Sequence, residues 1–140
     1  MALPSGVSKD SIRAVYEALT NGDAAAATGA ASGSRILSAA ATTNATSAKA
    51  SAGYLHQVSG YNASVSARYI KFYNKASAPT VGTDTPVLTY YVPGSSAFVF
   101  DVPALYFSTG IAYALTTGSA DNDTGALTAA DILGLNVIYG

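Results

Sequence analysis

Few side chains in this 140-residue chain are suited to making or breaking bonds. His56 is the single imidazole, and with Ser59 and a distant Asp it supplies the parts of a nucleophilic triad. No Gly-x-Ser-x-Gly elbow accompanies it, so His56 reads as an ordinary strand residue. Asp121, Asp123 and Gly125 reproduce the opening of a calcium loop, D-x-D-x-G. Position twelve of such a loop is Ile132, preceded by Asp131, where an EF-hand needs Glu. The favoured reading is a polar turn, because Asp and Asn bond their own backbone there. Cysteine is absent, which removes disulfides, thiolate metal sites and cysteine nucleophiles. No glycine loop followed by Lys cradles a phosphate. The expectation is a chain without catalysis, cofactor or metal.

Two further motifs carry recognition chemistry rather than catalysis. Asn44, Asn62 and Asn122, completed by Thr46, Ser64 and Thr124, match the glycosylation sequon, a chance match in so Ser/Thr-rich a chain. Ten tyrosines offer apolar rings with polar tips, suited to sugars or to protein partners. Tyr61, Tyr90 and Tyr91 are the ones expected at the surface.

The elements that hold these residues divide the chain in two. Thirteen of the fourteen aromatics follow residue 53, and 34 of the first 53 residues are Ala, Ser, Thr or Gly, so only the later part has the material of a large core. Within residues 9–20, Ile12, Val15, Tyr16 and Leu19 recur at helical spacing, and Ser8 and Gly22 are suited to begin and end a short helix. An extended strand is the alternative. Residues 21–53 are low-complexity and would ordinarily be disordered alone. Their one apolar cluster, Ser34-Arg35-Ile36-Leu37-Ser38, is suited to an edge strand.

From Tyr54 onward the pattern is β. Tyr54, His56 and Val58 alternate before a turn expected at Gly60 and Asn62. Residues 65–74 form the next strand, with Arg68, Ile70 and Phe72 on one face and Val65, Tyr69, Lys71 and Tyr73 on the other. Ala76 to Pro86 is a polar loop, and Val87–Val92 a strand closed by Pro93-Gly94. Phe98, Phe100 and Val102 alternate against Val99 and Asp101. Ile111, Tyr113 and Leu115 alternate with alanines, Asp121 to Gly125 is a loop, and Ile132–Tyr139 is a last strand setting Leu133, Leu135, Val137 and Tyr139 on one face. Six or seven short strands at such spacings predict an all-β fold, an antiparallel jelly-roll or β-sandwich, or a small barrel. The domains expected are an extended N-terminal arm over 1–30 and the β domain over 31–140.

Charge is uneven. Residues 1–75 carry all seven Lys and Arg against Asp10, Glu17 and Asp23, whereas residues 76–140 carry five Asp and no base. Basic and acidic parts of neighbouring copies or partners attract one another in such a chain. The bases are too sparse for a nucleic-acid footprint. Met1-Ala2-Leu3-Pro4 lacks the features of a secretory leader, and no apolar run approaches the roughly 20 residues of a membrane span. The expectation is synthesis in the cytoplasm, with no nucleic-acid or membrane partner.

Two stretches carry a family likeness: Ala67 to Thr89, ARYIKFYNKASAPTVGTDTPVLT, and Phe107 to Leu127, FSTGIAYALTTGSADNDTGAL. They resemble structural proteins of tailed bacteriophages, and most nearly the jelly-roll cement (decoration) proteins of phage heads. The likeness covers about residues 45–140. It implies a domain on the outside of the virion head that cements neighbouring major capsid protein subunits and associates with copies of itself, a dimer rather than a trimer. A fully extended 30-residue arm reaches roughly 100 Å, far enough to tether a neighbour. Ile12, Arg13, Tyr16, Arg35, Ile36 and Leu37 are the candidate contacts, with Ile36 and Leu37 as anchors of an added strand and Arg13 and Arg35 as ion-pair partners. The alternative is a virion-surface or tail module that binds host glycans or a receptor.

Overall fold

Phe98, Phe100 and Val102 lie on one side of a strand and Val99 and Asp101 on the other, and that alternation fixes which side of the domain is the core. A computed structural model describes residues 30–140. The arm's candidate helix over 9–20, and with it Ile12, Arg13 and Tyr16, lies outside the described residues. Eight strands follow in order: β1 (Ser32–Ser38), β2 (Thr46–Lys49), β3 (Gly53–Asn62), β4 (Arg68–Asn74), β5 (Leu88–Val92), β6 (Ser96–Phe107), β7 (Ile111–Thr116) and β8 (Ile132–Tyr139). They form two antiparallel four-stranded sheets, ordered β1-β8-β3-β6 and β2-β7-β4-β5. No described residue is helical, so no described helix is long and apolar enough to cross a membrane. The fold is a β-sandwich.

The two inner faces meet in one apolar core. Leu55, Val58, Leu135 and Val137 of the first sheet pack with Ile70, Phe72, Val92, Ile111, Tyr113 and Leu115 of the second. Tyr90 of the second sheet stacks across it on Phe100 of the first with ring centroids 4.4 Å apart, and within the second sheet Phe72 lies 6.0 Å from its partner Tyr113. The start of β4 is tied to the start of β8 by Arg68, whose Nε donates to Asp131 Oδ2 at 2.7 Å. That ion pair joins an element of one sheet to an element of the other.

Several boundaries differ from the sequence-based expectation. The low-complexity stretch is not all arm, because Ser32–Ser38 and Thr46–Lys49 are strands of the sandwich. Small residues suffice there because backbone bonds do the work. Ala39 N donates to Ile132 O, Leu115 N to Thr43 O and Leu127 N to Thr42 O. No turn occurs at Gly60, since β3 continues to Asn62. Gly60 is required instead by packing: a Cβ there would stand 2.8 Å from the ring of Phe98. Asn62 is wholly buried and shapes the β3–β4 turn from inside the strand, donating to Ser66 O and Pro93 O and accepting from Ser64 N. β4 begins at Arg68, and Val65 lies exposed in the turn. In β8, Gly134 adopts φ +58° at an irregularity opposite Ser59–Tyr61, so Ile132 rather than Leu133 joins Leu135 and Val137 in the core.

Candidate interaction surface

His56 sits at the irregularity of β3 between Leu55 and Gln57, half-buried. Among the described residues neither His56 nor Ser59 takes part in a side-chain hydrogen bond. The nearest carboxylate along the adjoining strand, Asp101, is held by Gln57, whose Nε2 donates to its Oδ1 at 2.8 Å. These residues do not assemble into a triad.

The Asp121–Gly125 loop is built around a lysine. Asp123 Oδ1 accepts from Gly118 N at 3.2 Å and Gly125 N at 2.9 Å, which folds the loop on itself. Lys71 of β4 is fully buried beneath it and donates its Nζ to Ala120 O. Burial pulls Lys71 below the ordinary lysine range, and the nearby Asp123 and Asp121 carboxylates oppose that pull. The countercharge of this calcium-like loop is thus supplied by the chain itself. No group of three metal-ligating side chains occurs among the described residues.

Beside Lys71, Tyr73 is buried with Ala112, Ala114 and Val81, and its hydroxyl has no hydrogen-bond partner. Burial, then Asp84 and Asp121, raise that phenol above its usual range. Val81 belongs to the loop between β4 and β5, which is pinned by Lys75 Nζ donating to Asp84 Oδ2 at 2.6 Å and by Thr80 N donating to the same oxygen at 2.7 Å. Two loops therefore roof the middle of the second sheet's outer face. The alanines of β7 leave the space they need. That is why β7 is buried along its whole length.

The outer face of the first sheet has no such roof among the described residues. Leu37, Tyr54, Tyr61, Val99 and Tyr106 stand on it with 42–67% of their surface exposed. Tyr54 and Tyr106 are cross-strand neighbours with ring centroids 5.1 Å apart. Of all residues in the four strands, only Arg35 and Asp101 are charged. These exposed apolar and aromatic side chains flank a polar band in which Gln57 donates to Asp101 and Ser59 lies opposite Asn136.

The candidate contacts divide by position on β1. Arg35 and Leu37 face out, whereas Ile36 turns inward and packs on the core. Of the tyrosines expected at the surface, Tyr61 and Tyr91 are exposed, but Tyr90 is half-buried against the core, and that burial raises its phenol above the usual range. Tyr54 and Tyr106 escaped the sequence reading. Simple alternation from Val58 and from Phe98 would put both inside, and irregularities at His56 and at Pro103-Ala104 reverse them. Ala104 has φ +51°, unusual for a residue with a Cβ, and Pro103 beside it was the available signal.

Comparison with known proteins finds no family model, no curated protein and no solved structure that matches the chain.

Proposed function

We propose that this chain is a non-enzymatic structural protein of a tailed-bacteriophage head, a cement protein that sits on the outer shell and holds neighbouring major capsid protein subunits together. The observation that carries the proposal is the contrast between the two sheet faces: one roofed by its own loops, the other bare among the described residues and carrying exposed aromatic and aliphatic side chains beside a polar band. A protein whose task is attachment needs such a face and needs no catalytic cluster. The likeness of residues 67–89 and 107–127 to phage cement proteins supplies the partner. Strand order supports the jelly-roll form of the sandwich. β1 neighbours β8, β2 neighbours β7, β3 neighbours β6 and β4 neighbours β5, the order obtained by rolling up one long antiparallel ribbon of strand pairs.

In this account the first sheet's outer face meets the shell and the arm of residues 1–30 tethers an adjacent subunit. Repetition over the shell converts modest single contacts into firm attachment. The direct test replaces Tyr54 and Tyr106 together by serine. Both rings are about half exposed, so the domain should stay folded while retention on purified heads falls at least about tenfold, the effect of losing roughly 1.4 kcal/mol or more. Unchanged retention by a folded double variant would refute the role of this face.

The exposed rings of Tyr54, Tyr106 and Tyr91 favour a second reading, a virion-surface or tail module binding host glycans. A glycan array probed with the purified chain separates the two. Specific sugar binding abolished by the same serine substitutions would establish the second.

A further inference from the structure

The free edge of β6 is open to a further strand. Among the described residues β6 pairs only with β3. Its first half, Ser96-Ala97-Phe98-Val99-Phe100-Asp101-Val102, contains no Lys, Arg or Pro and no irregularity. Edge strands are ordinarily blunted by such features. The other edges of the sandwich have them: β2 is four residues long and ends in Lys49, and β5 runs between Pro86 and Pro93. β1 carries Arg35 at its middle. In β6 itself Pro103 and the bulge at Ala104 close off the second half. The remaining stretch carries a single charge, Asp101, which Gln57 holds within its own sheet.

Backbone bonds show which residues of each edge point outward from the sheet. Ala63 N donates to Asp131 O, so in β3 Ala63, Tyr61 and Ser59 turn toward β8, while Asn62, Gly60 and Val58 turn toward β6. Their β6 partners are Ser96, Phe98 and Phe100, which leaves Ala97, Val99 and Asp101 directed at the free edge. The side chains of Val99 and Asp101 are also those on the sheet's outer face. On β1 the relation is the same. Ala39 is inward and its N donates to Ile132 O, and Ser34 and Ile36 are likewise inward, so they turn toward β8 and leave Gly33 and Arg35 directed at the free edge. Joining β6 of one copy to β1 of the next is then a head-to-tail contact that does not close, and it places Arg35 in the shared edge. β6 against β6 has matching faces and closes about a two-fold axis.

We propose that β6 is the site of self-association: two copies pair antiparallel through Ser96–Val102 about a two-fold axis at Val99, giving one continuous eight-stranded sheet. Val99 then faces its own copy, and Ala97 faces Asp101 of the other copy. The two Asp101 residues stand four positions apart along the ladder, roughly 13 Å. A two-fold at Asp101 would set like charges opposite each other. The pairing adds about six backbone hydrogen bonds. It also brings Phe98 against Phe100 of the other copy, covering the part of Phe100 that a single copy leaves open. The outer faces of the two copies become one surface of doubled width.

The absence of cysteine makes the test clean. A Val99→Cys chain should form a disulfide-linked dimer on mild oxidation, since directly hydrogen-bonded antiparallel residues have Cα atoms about 5.5 Å apart, within disulfide reach. Ala97→Cys should not, and the Ala97→Cys/Asp101→Cys double variant should. The unmodified full chain should sediment as a dimer. Val99→Pro removes an N–H that points only to the free edge, so it should give a folded monomer, and Val99→Lys should do the same. A monomeric unmodified chain, equal cross-linking by Val99→Cys and Ala97→Cys, or a dimer linked through Arg35→Cys would each overturn the proposal. None of these outcomes depends on head binding, so the self-association site stands or falls apart from the cement function.

Discussion

The ion pair between Arg68 and Asp131 is predicted to be a stability hinge of the sandwich, measurable by a double-variant cycle. Both side chains are nearly buried, 12% and 10% exposed. Asp131 Oδ2 accepts from Arg68 Nε at 2.7 Å and from Thr128 N at 2.9 Å, while Arg68 also donates to Ala67 O. At such separations and an effective dielectric near 20 the gross attraction is about 4 kcal/mol, most of it offset by taking both charges from water. Removing one partner leaves the other charge buried and unmatched. Asp131→Asn and Arg68→Met should each therefore cost about 2–4 kcal/mol, somewhat below the range for wholly buried pairs. The double variant should cost far less than the sum, about 1–2 kcal/mol, because the introduced asparagine amide retains an acceptor for Thr128 N and the methionine fills the arginine stem's space. Urea unfolding of the four proteins, followed by tyrosine fluorescence and far-ultraviolet dichroism, gives the cycle directly. Additive losses below about 0.5 kcal/mol each would show the pair to be screened by solvent, and the reasoning would fail.

Other predictions concern the roofed sheet and the arm. Tyr73→Phe removes a buried hydroxyl without a partner, so stability at neutral pH should hold or rise by up to about 1 kcal/mol in thermal or urea melts. Tyr73 and Tyr90 are both raised above the ordinary value of 10.0, so their contribution is complete below pH 10 and lost as pH climbs through the folded-state values. Lys71 acts in the opposite sense: its folded-state value is lowered from 10.5, so its unfavourable contribution is relieved as pH rises toward 10.5. A pH series of urea midpoints for the parent, Tyr73→Phe and Lys71→Met should separate these slopes. Lys71→Met should also speed amide exchange at Ala120–Gly125, since the loop loses its internal cation; unchanged exchange would remove Lys71 from that role. Deleting residues 1–30 should leave a folded sandwich, because Ser32–Gly140 is a compact unit of its own, but one that washes off heads.

What the sequence disclosed, and what it hid, follows from how each residue is held. The alternation of Phe98, Phe100 and Val102 and the apolar run of β7 were legible because side-chain burial imposes a period of two. β2 was not, since Thr46-Ser47-Ala48-Lys49 has little side-chain area and owes its place to backbone pairing with β7. Irregularities defeat periodicity most damagingly. At His56, Ala104 and Gly134 an altered register reverses the faces, and the first two set Tyr54 and Tyr106 on the exposed surface where unbroken alternation would put them inside. Asn62 misled for another reason, since a turn-forming side chain acts there from within a strand. Lys71 was placed correctly opposite Ile70 and Phe72, but nothing in its local sequence announces that a loop some fifty positions later closes over it.

The central claim is that the bare face of the first sheet holds this protein on a phage head. A cryo-electron microscopy map of the particle tests it most directly. The account predicts sandwich-shaped density at lattice positions over the outer shell, in copy numbers of hundreds, with Tyr54 and Tyr106 turned toward the major capsid protein. Density confined to a few copies on the tail, or a shell-bound domain with that face turned to solvent, would contradict it.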